Sequence, residues 1–337
     1  MPVDPEQIAI LGAGSWGTAL AVHLGRLGHA VTLWGRDGAL VEEMTSTRSN
    51  GRYLPDVSLP EKVLPTAALD EALATATLVV IAVPSHGLRA VLRDAVPFLP
   101  RRAPLVSATK GLEQHSHGRM SEVLAEETSN GYPIVVLSGP SFAIEVANGL
   151  PTAVVVASAD PQAAARVQDQ FRGPAFRLYV TDDVTGVEIG GALKNVIAIA
   201  AGAVQGLGLG HNALAALITR GLAEISRLAC AAGARRDTLA GLSGLGDLVM
   251  TCTGSLSRNR HVGFELGRGE KLDAVLSRTR MVAEGVRTTF AALALGERHG
   301  VELPIASEMS AVLQGRRAPR DAVEALMLRP QRPETDH

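Results

Sequence analysis

The apolar positions of this chain follow two different periods. In the first half, short continuous apolar runs recur at 8–11, 30–34, 78–83, 105–108, 134–137 and 153–157. They are rich in Val, Ile and Leu and bounded by Pro and Gly, the pattern of strands buried on both faces of a parallel sheet. Stretches with helical spacing lie between them, near 15–28, 38–48, 87–95, 119–128 and 161–171. This alternation predicts a doubly wound α/β domain. Past residue 182 the strands stop. Residues 183–206 read as a long apolar helix with Gly186, Gly190 and Gly191 closely spaced. Residues 212–232 read as another, with Leu214, Leu217, Ile218, Leu222 and Ile225 on one face and Gly233 as its stop. Further helices are expected near 257–267, 284–299, 304–314 and 319–327, before a polar, frayed tail from Pro330. The expected organisation is an α/β domain over 1–181, an all-α domain over 182–330 and a tail over 331–337. The boundary is a change of period, with no flexible linker.

At 337 residues the chain is long enough for two cores. A net charge of −2, with no basic stripe interleaved with aromatics, argues against a nucleic-acid footprint. The first residues, MPVDPEQ, carry acids and no basic region, so no secretory signal is expected, and no apolar run is expected to approach a membrane span. Cys230 and Cys252 make no framework and no metal motif; both are expected reduced and buried in a cytoplasmic protein. Lysine usage changes the picture more. Lys62, Lys110, Lys194 and Lys271 stand against 28 arginines. In a chain that makes its surface charge with Arg, a Lys inside an apolar or glycine-rich segment is there for its titratable amine. Lys110 and Lys194 qualify; Lys62 and Lys271 sit in polar loops.

The richest segment is QIAILGAGSWGTALAVHLGRLG at 7–28. A strand-like run is followed by Gly12, Gly14 and Gly17 in G-x-G-x-x-G spacing, then at once by a helical pattern. Gly12 allows the tight turn, Gly14 leaves a pyrophosphate access to the backbone, and Gly17 lets the helix pack on the strand. The strand before and the helix after make this a Rossmann-type dinucleotide site rather than a chance match. At the end of the next strand, where an NAD site usually carries an acid, stand Gly35 and Arg36, with Asp37 one step on. A guanidinium suits a 2′-phosphate, so NADP(H) is the preferred cofactor, with NAD(H) tolerated. The alternative is that Arg36 is a solvated turn residue and Asp37 caps the next helix.

Ligands bind beyond the carboxyl ends of strands in open α/β sheets. Three such ends are marked, by Val83-Pro84-Ser85-His86, by Thr109-Lys110-Gly111, and by Ser138-Gly139-Pro140-Ser141-Phe142-Ala143, which opens a helix. Ordinary turn chemistry explains much of this, but not a cation at Lys110. In the second half, Lys194 lies within an apolar, glycine-rich helix. It either snorkels to solvent or is held where it can exchange a proton with a developing alkoxide. Downstream, Gly244-Leu245-Gly246-Asp247 precedes Ser257-Arg258-Asn259. A helix start beside Arg258 and Asn259 makes a phosphate cradle, and Asp247 either meets a substrate hydroxyl or orients Lys194. As plain structure, Ser257 would be an N-cap and Asp247 a turn residue.

The chain resembles the bacterial NAD(P)-dependent glycerol-3-phosphate dehydrogenases over nearly its whole length. The resemblance rests on GAGSWGTALA at 12–21, ATKGLE at 108–113, SGPSFA at 138–143, LKNVIAIAAG at 193–202, ITRGLAE at 218–224, GLGDLVMTCT at 244–253, SRNR at 257–260 and VAEGVRT at 282–288. It implies NAD(P)H-dependent reduction of dihydroxyacetone phosphate to sn-glycerol 3-phosphate for phospholipid synthesis, in the cytoplasm. It implies Lys194 as proton donor and acceptor, and substrate contacts at Lys110, Gly139, Ser141, Asp247, Ser257, Arg258 and Asn259. It implies cofactor contacts at Ser15, Trp16, Arg36, Lys110, Ala143, Arg258, Val282 and Glu284. No metal, nucleic acid or membrane insertion is implied, and a homodimer is compatible with it. Two rivals are a dehydrogenase of a related β-hydroxy acid, which would not need the anchor at 257–259, and a non-catalytic nucleotide sensor, which would not need Lys194.

Overall fold

The computed structural model describes residues 4–278, 283–331 and 333–334. Its contacts divide into two units. One takes the chain up to Lys110 together with Arg119–Val184; the other takes Gly111–Gly118 and the chain from Thr185 on.

The first unit is built on ten strands: β1 (Gln7–Leu11), β2 (Ala30–Trp34), β3 (Ser49–Asn50), β4 (Leu54–Ser58), β5 (Val63–Thr66), β6 (Leu78–Ile81), β7 (Leu105–Ser107), β8 (Ile134–Ser138), β9 (Thr152–Ala157) and β10 (Phe176–Thr181). Eight of them form one sheet in the order β10-β9-β8-β7-β6-β1-β2-β5, with β3 and β4 making a small separate ribbon. Helices α1 (Ser15–Arg26), α2 (Gly38–Thr47), α3 (Leu69–Leu73), α4 (Ser85–Ala95), α5 (Met120–Glu127), α6 (Ala143–Ala147) and α7 (Pro161–Phe171) connect the strands. Alternate strand residues feed separate cores: Ile8, Ile10, Leu78 and Val80 pack in one, Ala9, Leu11, Val79 and Ile81 in another. A period-2 chain between two apolar layers gives the continuous runs seen in the sequence.

One expectation needs correction. The run at 153–157 reads as a parallel strand, yet β9 pairs antiparallel with β8. The connection between them holds only the five-residue α6. A parallel return usually needs a helix long enough to run back along the sheet, and five helical residues rise only about 7.5 Å. The short strands β3, β4, β5 and β10 are not expected from the pattern. Pro55 and Pro65 interrupt two of them, and β10 alternates buried and exposed residues through Leu178. Pro is tolerated there because such strands lie at edges.

The second unit is wholly helical among the described residues: α8 (Val184–Gly206), α9 (Gly210–Ala231), α10 (Arg236–Ala240), a π turn at Leu242–Gly246, α11 (Asp247–Thr253), α12 (Arg258–Gly267), α13 (Leu272–Arg278), α14 (Glu284–Arg298), α15 (Pro304–Leu313) and α16 (Pro319–Met327). The helix α8 is the axis, buried continuously from Gly186 to Val204. Contrary to the sequence expectation, its 23 residues are apolar and long enough to match a membrane span by length and composition, but protein covers its apolar window completely. An all-round apolar helix is what a core position requires. Gly202 and Gly263 let α8 and α12 touch backbone to backbone, since a Cβ on Gly202 would lie 1.9 Å from the Arg260 carbonyl oxygen. Helix α9 stops at Gly233, whose φ of +94° suits glycine. Cys252 is buried as expected, but Cys230 is exposed on the last turn of α9. The helices α10, α11 and α13 are not expected; each has seven residues or fewer, too short for a periodic signal.

Candidate active site

In the first unit the turn after β1 has the shape its glycines suggest. Gly12 sits at φ +121°, and a Cβ there would lie 2.6 Å from the Ala82 carbonyl oxygen. A Cβ on Gly17 would lie 1.9 Å from the Gly12 carbonyl oxygen, so α1 packs at backbone contact. A Cβ on Gly14 would meet nothing within 4 Å. Gly12 and Gly17 thus serve the protein's own packing, while the space over Gly14 is open. No side chain caps α1, which leaves its first amides for an anion. Beside them the indole Nε1 of Trp16 is buried without a hydrogen-bond partner. An open cradle and an orphaned donor fit a bound dinucleotide. Ser15 donates its hydroxyl to the Tyr53 carbonyl at 2.7 Å, tying the turn to the ribbon of β3 and β4.

At the end of β2, Arg36 is exposed and Asp37 is the N-cap of α2. One Asp37 carboxylate oxygen accepts from the amides of Ala39 and Leu40, at 3.1 and 3.3 Å. The other pairs with Arg52 at 2.5 Å. The Arg52 hydrogen bond, helped by the Leu40 amide, holds the Asp37 carboxyl below its usual range. So the capping alternative describes Asp37, and its acid is already engaged. Arg52 adds a second cation at this corner that sequence reasoning missed.

Two strand ends meet at Lys110. Its Nζ donates to the Gly139 carbonyl at 2.9 Å, and the Ser141 hydroxyl donates to the same oxygen at 3.0 Å. Gly139 is at φ +136°, so β8 turns sharply here before Ala143 opens α6. Thr109 donates to the Val83 carbonyl at 2.8 Å, a turn contact; His86 is exposed at the start of α4.

In the second unit Lys194 does not snorkel. It is 5% exposed, and its Nζ donates to Asp247 and, at 2.9 Å, to the Thr251 hydroxyl. Asp247 is fully buried. Thr251 in turn donates to the Asp247 backbone carbonyl at 2.6 Å. The residues between explain how the acid arrives. A Cβ on Gly190, one turn before Lys194, would lie 2.9 Å from the Ser243 carbonyl oxygen. A Cβ on Gly244 would lie 2.0 Å from the Leu239 carbonyl oxygen. These two glycines let the π turn seat against α8, which starts α11 with Asp247 opposite the amine. Such π turns recur at functional sites. Thr251, four residues after Asp247 on the same helix face, is the member sequence reasoning quoted without a role. Nearby, burial pushes the Cys252 thiol up to about 12.

Ser257 caps α12 by accepting from the Arg260 amide at 3.2 Å, which puts Arg258 at the first helical position. Asn259 bridges two helices: its amide donates to Asn195 Oδ1 at 2.9 Å, and its carbonyl oxygen accepts from the Gly285 amide at 2.9 Å. The segment 257–259 is thereby locked to the residue next to Lys194. Arg258 is exposed as a residue, while burial of its charged group lowers its pKa against the opposing effect of Glu284. Glu284 opens α14. Val282 lies outside the described residues. Among the described residues no group of His, Cys, Asp and Glu could hold a metal ion.

A dinucleotide-binding α/β unit joined to a helical unit with a buried, carboxylate-paired lysine defines an NAD(P)-dependent dehydrogenase. Comparison with known proteins gives the family. The models for the N-terminus and the C-terminus of NAD-dependent glycerol-3-phosphate dehydrogenase match residues 7–164 and 183–324. The chain belongs to this family. It is 52% identical to glycerol-3-phosphate dehydrogenase [NAD(P)+] of Thioalkalivibrio sulfidiphilus over 97% of this chain and 98% of the relative. It is 53% identical to that of Syntrophotalea carbinolica over 98% and 99%. The crystal structure of glycerol-3-phosphate dehydrogenase from Coxiella burnetii superposes with a TM-score of 0.93 at 41% identity, covering 96% of this chain and 99% of that one.

Proposed function

We propose that this chain reduces dihydroxyacetone phosphate to sn-glycerol 3-phosphate with NAD(P)H, reversibly, and supplies glycerophospholipid synthesis in the cytoplasm. The observation that carries the reading is the buried Lys194, held by Asp247 and Thr251 in a chain that otherwise makes its charge with Arg. Family membership supports it. In this reading residues 1–181 bind the dinucleotide and residues 182–330 bind the substrate and carry the catalytic amine.

When bound, the reduced nicotinamide supplies a hydride to the ketone carbon. Gly14, Ser15 and Trp16 would hold the pyrophosphate end on the turn that Gly12 and Gly17 shape, and Arg36 would meet the 2′-phosphate, which favours NADP(H). Lys110, Ala143, Arg258, Val282 and Glu284 complete the cofactor contacts. Lys194 gives its proton to the carbonyl oxygen as negative charge grows there, and recovers it in the reverse direction. Asp247 aims the amine, and Thr251 fixes its second donor. Lys110, with Gly139 and Ser141 around its strand end, adds positive charge. Ser257, Arg258 and Asn259 take the substrate phosphate, so binding far from the reacting carbon helps orient the ketone. No membrane insertion is required, and a homodimer is compatible with the reading.

The test is oxidation of NADPH and of NADH followed by absorbance with dihydroxyacetone phosphate as the only acceptor. Turnover with the phosphorylated ketone and little with unphosphorylated dihydroxyacetone is the expected result. No oxidation of either cofactor would overturn the reading, and turnover indifferent to the phosphate would point to a β-hydroxy acid dehydrogenase instead.

A further inference from the structure

The helical unit has an open concavity that the proposed chemistry does not use. Its volume is about 550 Å³, and its walls include Arg220, Arg227 and Cys230 on α9, Arg236 on α10, Glu302 and Arg329. Four arginines and one glutamate line it, a strong local excess of positive charge in a chain whose overall charge is −2. Arg220 and Arg227 are seven residues apart, two helical turns, so α9 presents both to the same side. Neither forms an ion pair among the described residues, while Arg329 pairs with Glu302 at 3.0 Å in an exposed contact. Glu224, on the same helix, interacts electrostatically with Arg227 and Arg329, although its direct partners are backbone amides. It is 2% exposed and accepts from the amides of Ile305 and Ala306 at the start of α15, at 2.8 and 3.0 Å. The lining shares no residue with the Lys194, Asp247 and Thr251 cluster.

We propose that this cavity is a binding site for a phosphate-bearing small molecule of nucleotide size. Guanidinium forks match phosphate oxygens bidentately. The volume falls within the ~300–1,000 Å³ typical of small-molecule sites. The proposal does not depend on which reaction the enzyme catalyses.

Cys230 offers a local readout, because it is exposed in this wall while Cys252 is buried. The experiment follows alkylation of Cys230 by neutral N-ethylmaleimide, with NADH present to fill the dinucleotide cradle, as inorganic pyrophosphate is added. Pyrophosphate should slow the labelling saturably in the wild type. Losing one charge-assisted contact is roughly tenfold in affinity, so Arg220→Ala should raise the half-effect concentration about tenfold and Arg220→Ala/Arg227→Ala about a hundredfold. The single variant, at an exposed position, guards against a folding defect in the double. Labelling that pyrophosphate does not slow, or slows equally in all three proteins, overturns the proposal. Labelling that slows with protein concentration alone assigns the surface to a second copy of the chain and overturns it as well.

Discussion

Replacing Lys194 by Ala should separate chemistry from binding. General acid catalysis contributes ~10²–10⁴-fold, so kcat should fall by that factor, about 2.7–5.5 kcal/mol of barrier. The Kd for NADH should stay near its wild-type value, since the cradle at Gly12, Gly14 and Gly17 is built by other elements. A second cost comes from the structure. Asp247 is fully buried and would lose its cation. Breaking such a pair costs about 3–5 kcal/mol, a large share of the ~5–15 kcal/mol that holds a domain folded. The Thr251 hydroxyl, 3.3 Å from the Asp247 carboxylate, cannot replace a charge. Loss of activity in Lys194→Ala alone could therefore be loss of fold. Lys194→Met/Asp247→Asn removes both charges and should recover most of the stability without recovering turnover. The assay pairs urea unfolding with single-turnover NADH oxidation, below the melting temperature of the weakest variant. Turnover within about tenfold of wild type in either variant would show that the pair is structural, and the mechanism would be wrong.

Arg258→Ala should raise KM for the phosphorylated ketone roughly ten- to a hundredfold, as for a lost charge-assisted contact, and blunt inhibition by inorganic phosphate; unchanged discrimination against dihydroxyacetone would place the anchor elsewhere. Arg36→Ala should weaken NADPH binding by roughly ten- to a hundredfold and NADH little, measured as Kd by fluorescence, and equal losses would remove the basis for an NADPH preference. Arg52→Ala frees the Asp37 carboxylate at the same corner, so it too should weaken NADPH more than NADH, and an opposite order would refute that role. Burial raises the Glu224 carboxyl to about 7 from 4.5, so the folded state keeps a proton that the unfolded chain has released. This group therefore favours folding below pH 4.5 and loses its contribution as pH rises to about 7, a fall of roughly 3 kcal/mol. Glu224→Gln should flatten that slope between pH 4.5 and 7 in urea titrations, and parallel curves for the two proteins would disprove it.

The strand runs, the long helices and the change of period near residue 182 were legible in the amino-acid order, because each depends on local spacing. The glycine turn was legible there too, since Gly12, Gly14 and Gly17 act within one strand-turn-helix unit. Lys194 stood out because lysine is rare here and its segment is apolar. Tertiary structure decided the rest. Whether Lys194 reached solvent depended on Asp247, 53 residues away, which a π turn and two glycines bring to α8. Asn259 became a bridge only when Asn195 and Gly285 arrived from other helices. The capping role of Asp37 was one of two local readings of its segment, but Arg52, which claims its other oxygen, arrives from beyond the helix. The direction of β9 and the exposure of Cys230 were likewise set by how the chain turns back on itself and which face a neighbour covers. A hydrophobic period tells a segment that it must be buried; partners that meet only in three dimensions decide what a buried polar group does.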